Sequence, residues 1–198
     1  MTRPLLAPMV AAMFAVSSGP ALTQATHVEP SRVTVSANNG VYHVTAGFQV
    51  GQQQSTVLAV LTDYEQIPRF MPEVKTSIIR ERFPGGVLVE QEAVSRMMMF
   101  SKRVHLLLEV RVENDIIRFR DICEESFAQY AGTWQVSQLA GQTNIAYELF
   151  AKPSFDVPGF MVSRMLKKDA KQMIERLRGE ISARGYLFAN GEANQPAR

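Results

Sequence analysis

Apolar and polar residues alternate along most of this chain, and the phase of that alternation organises it. Tyr42, Val44, Ala46, Phe48 and Val50 take turns with His43, Thr45, Gly47 and Gln49, which reads as a strand with one apolar face. Arg32 to Ala37 alternates likewise, and Asn38-Asn39-Gly40 between the two is a tight-turn signature. From Val74 to Ala151 the pattern predicts consecutive strands. Pro84-Gly85-Gly86 separates Thr76–Phe83 from Val87–Ser95, Glu113-Asn114-Asp115 ends the longest strand, and Gly141 divides Phe127–Val136 from Thr143–Ala151. With no helical stretch between them, these strands form an antiparallel meander. Many strands and one long helix to cover them imply strong curvature.

Helical spacing occurs twice. Val57, Leu58, Val60, Leu61 and Tyr64 fit two short helices, because Pro68 and Pro72 forbid a long one. Thr62-Asp63-Tyr64-Glu65 has the form of a capping box, a simpler role for Asp63 and Glu65 than an acid/base pair. Later, Phe160, Val162, Met165, Leu166, Ala170, Met173, Ile174, Leu177 and Ile181 make an apolar stripe on a helix expected over Gly159–Ala183. Asp156 or its successor would cap the start, with Pro158 in the first turn, and Gly185 would end the helix, leaving 186–198 as a tail. The fold class is α+β, in one domain over residues 32–185.

The 198 residues, 46% hydrophobic and 20% charged, suffice for one sizeable core or for a core with a hollow in it. The N-terminus differs in kind. Arg3, an apolar run from Leu5 to Val16, and a small-residue exit ending Thr23-Gln24-Ala25 predict a signal peptide over 1–25, followed by a short leader over 26–31. The run is too short to span a bilayer, which takes about 20 residues, and no cysteine near the exit suggests a lipid anchor. The expected localisation is periplasmic or secreted. Removing 1–25 takes away only Arg3, which leaves 20 basic against 19 acidic side chains. So even a balance argues against a nucleic-acid partner. Cys123, the single cysteine, has no intrachain disulfide partner and reads as an ordinary strand residue.

No familiar catalytic set emerges. His43 and His105 fall on the polar, water-facing side of their strands, and His27 lies in the leader. Clustered metal ligands, a triad around an inward histidine, and a glycine-rich phosphate loop are all missing from the sequence pattern. Asp121, Glu124 and Glu125 read as a turn. No catalytic residue, metal or cofactor is therefore expected. The apolar phase of the strands is more informative. It presents Val87, Val89, Gln91, Ala93 and Ser95, then alternate residues of 104–112, then Ile117 and Phe119. Tyr130, Gly132, Trp134 and Val136 follow, and finally Ile145, Tyr147 and Leu149. Such a wall, apolar with a few hydroxyls and one amide, suits either a packed core or a ligand cavity. Seven methionines follow the leader, among them Met97–Met99 and Met161, Met165 and Met173. Methionine is over-used where a surface must accept variable apolar partners.

The order strand, two short helices, meander, long helix carries L-T-D-Y-E-Q-I-P-R-F-M-P-E-V (61–74), V-E-Q-E (89–92) and Y-A-G-T-W (130–134). With Y-E-L (147–149) and P-S-F-D-V-P (153–158), it resembles the START-like (SRPBCC) superfamily, in its polyketide cyclase and coenzyme-Q-binding branch. The resemblance covers about residues 32–185. It implies a helix-grip fold, a curved sheet wrapped on the C-terminal helix around a deep cavity, and ligands such as lipids, isoprenoid quinones or polyketide-like molecules. The functional expectation is a binding protein for a hydrophobic small molecule. The residues expected to touch it are Gln91, Met98, Phe100, Phe119, Tyr130, Trp134, Tyr147, Met165 and Met173, with Met98 or Phe100 at the cavity mouth. The alternative is a cyclase or dehydratase using Tyr130, Tyr147 or Asp121 for acid/base work. A transient contact with a membrane surface through the basic side of the last helix is a further expectation.

Overall fold

The computed structural model describes residues 32–97 and 100–192, without the side chains of 96, 97, 100 and 188–192. The expected signal segment, Met98 and residues 193–198 lie outside the described residues.

Among the described residues, eight strands form one antiparallel sheet in the order β1-β2-β8-β7-β6-β5-β4-β3. They are β1 (Arg32–Asn38), β2 (Val41–Val50), β3 (Val74–Phe83), β4 (Gly86–Met97), β5 (Phe100–Glu113), β6 (Ile116–Asp121), β7 (Phe127–Leu139) and β8 (Gln142–Pro153). All but one of the pairings join neighbours in the chain. The exception is β2 against β8, with Phe48 opposite Ile145. Left-handed residues make the tight turns, Asn39-Gly40 between β1 and β2 and Asn114-Asp115 between β5 and β6, and such turns match the right-handed twist of the strands they join. Bulges in β3, between Val74 and Thr76 and between Ile79 and Glu81, add to the curvature.

Between β2 and β3 lie α1 (Gln54–Leu61), a 3-10 turn (Tyr64–Gln66) and α2 (Ile67–Phe70). The capping box expected at Thr62 does not form. Thr62 closes α1 in helical geometry, its hydroxyl donates back to the Leu58 carbonyl at 2.8 Å, and Asp63 pairs with Arg184 at 2.6 Å. The long helix α3 runs over Gly159–Glu192, starting on the Pro158 carbonyl, which accepts the N–H groups of Met161 and Val162. Gly185 does not end it. A β-carbon there would stand 2.4 Å from Gln52 Cγ, so glycine lets the helix pass the 51–53 segment closely, and the first residues of the expected tail, 186–192, are helical.

The sheet curls around α3, which packs on β1, β2 and β4 and on both short helices. Val162, Leu166, Ala170, Ile174, Leu177 and Ile181 are buried along its stripe; Phe160, expected in the same stripe, is 76% exposed at the helix start. On the sheet the apolar phase faces inward as the alternation requires, except for Val112, which is exposed where β5 runs past the core. Both strand histidines lie on the outer face, half-buried and paired rather than simply solvated. His43 Nε2 meets Glu148 at 2.7 Å and its ring stacks on Phe150, while His105 stands between Glu90 and Glu125. Cys123 is not in a strand but in the loop between β6 and β7.

Candidate functional site: a two-lobed cavity between sheet and helix

Sheet and helix do not close completely on one another. Among the described residues two adjoining hollows lie between them: one of about 220 Å³ beside the β4–β5 hairpin, called the outer lobe, and one of about 210 Å³ beneath the short helices, called the inner lobe. Met71, Val74, Gln91, Tyr130, Tyr147 and Met173 border both and form the neck. Two of these six are methionines, whose unbranched side chains reshape at low cost.

The inner lobe is walled almost wholly by hydrocarbon and aromatic rings. The short helices contribute Val60, Ile67 and Phe70, and the strands contribute Leu108, Phe119 and Trp134. Aromatic rings pave its floor. Trp134 and Tyr147 lie 4.3 Å apart, and Phe119 stands 6.3 Å from Tyr147 and 6.0 Å from Tyr130, while Phe127 of the outer lobe lies 4.9 Å from Tyr130. Gly132 makes this paving possible. It pairs across the ladder with Phe119, and a β-carbon would stand 2.7 Å from the Phe119 ring and 2.2 Å from the Glu148 carbonyl oxygen. The ring occupies the space a side chain would need.

The outer lobe carries the polarity. Asp169 of α3 enters it half-buried, one turn from Met165 and from Met173, and accepts from the Ser95 hydroxyl at 3.4 Å. Ser95 also lies 3.0 Å from Met165 Sδ. Burial pushes the Asp169 carboxyl above its ordinary range, against the weaker pull of Lys168 and Ser95. Gln91 is held to Ser77 at 3.0 Å. Burial likewise drives Tyr130 up to about 12 and Tyr147 well above its usual value, with each hydroxyl a lesser influence on the other. Both are therefore neutral at physiological pH and act as donors and acceptors, not as bases. At the rim, Arg176 of α3 pairs with Glu73 through both guanidinium nitrogens, and Lys102 sits 4.8 Å over the Phe155 ring.

Of the nine residues expected at the site, Gln91, Phe119, Tyr130, Trp134, Tyr147, Met165 and Met173 line this cavity. Met98 lies outside the described residues, and so does the side chain of Phe100. In the β4–β5 hairpin the backbone of Phe100 pairs with Met97, and Ser95 and Lys102 from the same hairpin border the outer lobe. Asp121 does not line the cavity. It is buried at the end of β6, where its carboxylate accepts the N–H groups of Leu107, Cys123 and Glu124. Sequence reasoning missed Asp169, Glu73 and Arg176. The signal for Asp169 was its i+4 spacing from Met165 and to Met173.

The model of the family described as polyketide cyclase / dehydrase and lipid transport matches residues 50–178, well over half of the chain. The chain belongs to this family. It is START-like, and the helix-grip architecture expected from the sequence is the one observed. Three solved structures show the same fold. The STAR-related lipid transfer protein from Xanthomonas axonopodis has a TM-score of 0.63 at 15% identity over 80% of this chain and 97% of its own. A START superfamily protein from Mycobacterium smegmatis has a TM-score of 0.60 at 18% identity, over 71% of this chain and 97% of its own. The Zhui aromatase/cyclase from a Streptomyces species has 0.62 at 14% identity, over 73% and 95%. No curated protein matches the sequence. Among the described residues no helix is long and apolar enough to cross a membrane.

Proposed function

We propose that this family member is a carrier for a single amphipathic lipid-like molecule, its apolar part in the inner lobe and its polar end in the outer lobe. One observation carries the reading: every charged side chain that borders the cavity, Glu73, Lys102, Asp169 and Arg176, stands at the outer lobe, whereas the inner lobe is walled by hydrocarbon, aromatic rings and the Gln91 amide. Such a site fixes orientation by a few polar groups while burial of apolar area supplies affinity. Gln91, Phe119, Tyr130, Trp134, Tyr147, Met165 and Met173 are its proposed contacts, with Met98 and Phe100 near the mouth. Lipid, isoprenoid quinone and polyketide-like ligands all fit the grading. The relatives named for lipid transfer and for aromatase/cyclase activity support an apolar occupant. The N-terminal pattern of residues 1–25 supports action in the periplasm or outside the cell.

The test is extraction of the exported protein and mass spectrometry of what it carries, with titration by fluorescent acyl and quinone probes. A bound amphiphile, or saturable 1:1 uptake weakened by Trp134→Ala and Asp169→Ala, is expected. Repeated recovery without ligand and no probe uptake overturn the reading. N-terminal sequencing of the exported protein checks cleavage, expected after Ala25. A second reading, a cyclase or dehydratase, is favoured by Asp169, whose raised carboxyl stands in the same lobe as two neutral tyrosine hydroxyls and could exchange a proton with a substrate. It predicts turnover of a polyketide-like substrate that Asp169→Asn abolishes while binding survives.

A further inference from the structure

On the outer face of the sheet, remote from the cavity's neck, three side chains of metal-binding type converge. His105 Nδ1, Cys123 Sγ and a Glu125 carboxylate oxygen all lie within 4.8 Å of one another. The His105 to Glu125 separation is 3.0 Å and the His105 to Cys123 separation is 3.9 Å. Ligand atoms around a tetrahedral zinc ion stand roughly 3.3–3.7 Å apart, as follows from bond lengths of about 2.0–2.3 Å. The three groups bracket that spacing, and adjustments of under about 1 Å would bring them onto one ion.

The surroundings are built to hold them. His105 is set in the β4–β5 ladder opposite Glu92, and its other nitrogen, Nε2, meets Glu90 at 3.0 Å. A carboxylate on the far nitrogen is the usual device that orients a metal-bound imidazole and frees its other nitrogen for the ion. Glu90 is itself held by Arg80. The loop that brings Cys123 and Glu125 is clamped from beneath. The buried Asp121 carboxylate accepts the N–H groups of Leu107, Cys123 and Glu124, and the buried Ser126 hydroxyl accepts the N–H of His105 at 3.0 Å. Glu124 adopts a left-handed backbone at φ 54°, which turns the loop so that residues 123 and 125 both reach His105.

We propose that His105, Cys123 and Glu125 form a binding site for a zinc-type divalent ion, with a fourth position open to water. One nitrogen, one sulfur and one oxygen suit a borderline-soft ion over calcium or magnesium, which take oxygen ligands. The site balances simply. The metal takes the lone pair of His105 Nδ1 and the thiolate of Cys123, and the displaced protons go to solvent. Its effect on the fold would be to tie the 122–126 loop to β5. That loop leads into Phe127, a wall residue of the outer lobe, so the ion would brace the ligand cavity from outside.

The experiment is titration of the full, reduced, metal-free protein with Co²⁺ and Zn²⁺. Expected are 1:1 binding, a near-ultraviolet thiolate-to-cobalt band, visible bands of a four-coordinate ion, and competition of Zn²⁺ for the Co²⁺ site. Cys123→Ser removes the thiolate band, and both Cys123→Ser and His105→Gln weaken Zn²⁺ at least tenfold. Saturating Zn²⁺ raises the melting temperature of the wild type by about 5 °C or more, and that of Cys123→Ser by much less. Each variant is checked by circular dichroism before titration, and the wild-type titration decides the matter even if a variant fails to fold. No 1:1 binding to the wild type, binding without the thiolate band, or equal affinity in folded variants overturns the site.

Discussion

At the scale of single residues, Asp169 is a carboxyl whose chemistry is altered by its place. Burial favours its neutral form, so the folded protein holds that proton more tightly than the unfolded chain does. Below the ordinary value of 3.8 both states are protonated and ionisation costs nothing. As pH rises through the higher folded value, a destabilising contribution appears. Asp169→Asn, which keeps the hydrogen bond from Ser95, is therefore expected to raise the melting temperature at neutral pH and to lose that advantage below 3.8, as melts across pH will show. The glycines give a contrasting pair. Gly132→Ala drives a β-carbon against the Glu148 carbonyl, which is backbone within the ladder, and should cost about 1–3 kcal/mol in urea unfolding. Gly185→Ala brings a β-carbon to 2.4 Å from Cγ of the Gln52 side chain, which must turn aside, but it does so in mid-helix, where alanine gains up to about 1 kcal/mol over glycine. Its net effect should be near zero or stabilising.

Among the elements, α3 serves as wall, lid and latch at once. Its apolar stripe was legible from i, i+3 and i+4 spacing, and so was the inward phase of β2 and of β4 to β8, because alternation has only two phases and one must face the core; β3, where Ser77 is buried and Ile78 exposed, gave no such phase. What spacing could not supply was tertiary partnership. Gly185 reads as a terminator in isolation and becomes a packing residue only because residues 51–53 cross it. Thr62 and Glu65 satisfy a capping pattern, but Asp63 has a partner 121 positions away in Arg184. Cys123, Glu125 and His105 meet across a loop and a ladder that no local motif announces. The ion pair of Glu73 and Arg176, which joins the start of β3 to α3 at the rim, is likewise invisible in sequence. Being partly solvated, it should contribute about 0–1 kcal/mol to stability. Glu73→Gln is thus expected to leave the melting temperature nearly unchanged while speeding probe release roughly three- to fivefold in stopped-flow displacement, since about 1 kcal/mol corresponds to that factor.

For the molecule as a whole, the grading of the cavity sets what it can select. On the proposed carrier function, an inner lobe of about 210 Å³ without charged walls would measure the length and girth of an apolar chain, while the outer lobe would test for a polar end. Leu177→Phe, which fills the inner lobe from α3, should shorten the longest acyl probe accepted and leave short probes bound as before. A titration series over chain length reads this directly, and an equal loss for all lengths would show that the inner lobe is not where the chain goes. Met71 and Met173 at the neck allow occupants of differing width, consistent with the generic character of the wall.

The pairing of β2 with β8 has a consequence in time. Every other strand pair closes over a short turn or loop, but this one joins residues 42–50 to residues 143–151, about half the chain away. Loop closure over such a span must be paid before its contacts return anything, which slows folding relative to local pairing. The meander from β3 to β8 can assemble hairpin by hairpin as it is synthesised. The first hairpin, β1 with β2, leaves the ribosome earliest and yet has no neighbour until β8 exists. Until then the apolar face of β2 waits uncovered, so the oldest part of the chain is the last to be seated and the one most in need of protection from aggregation.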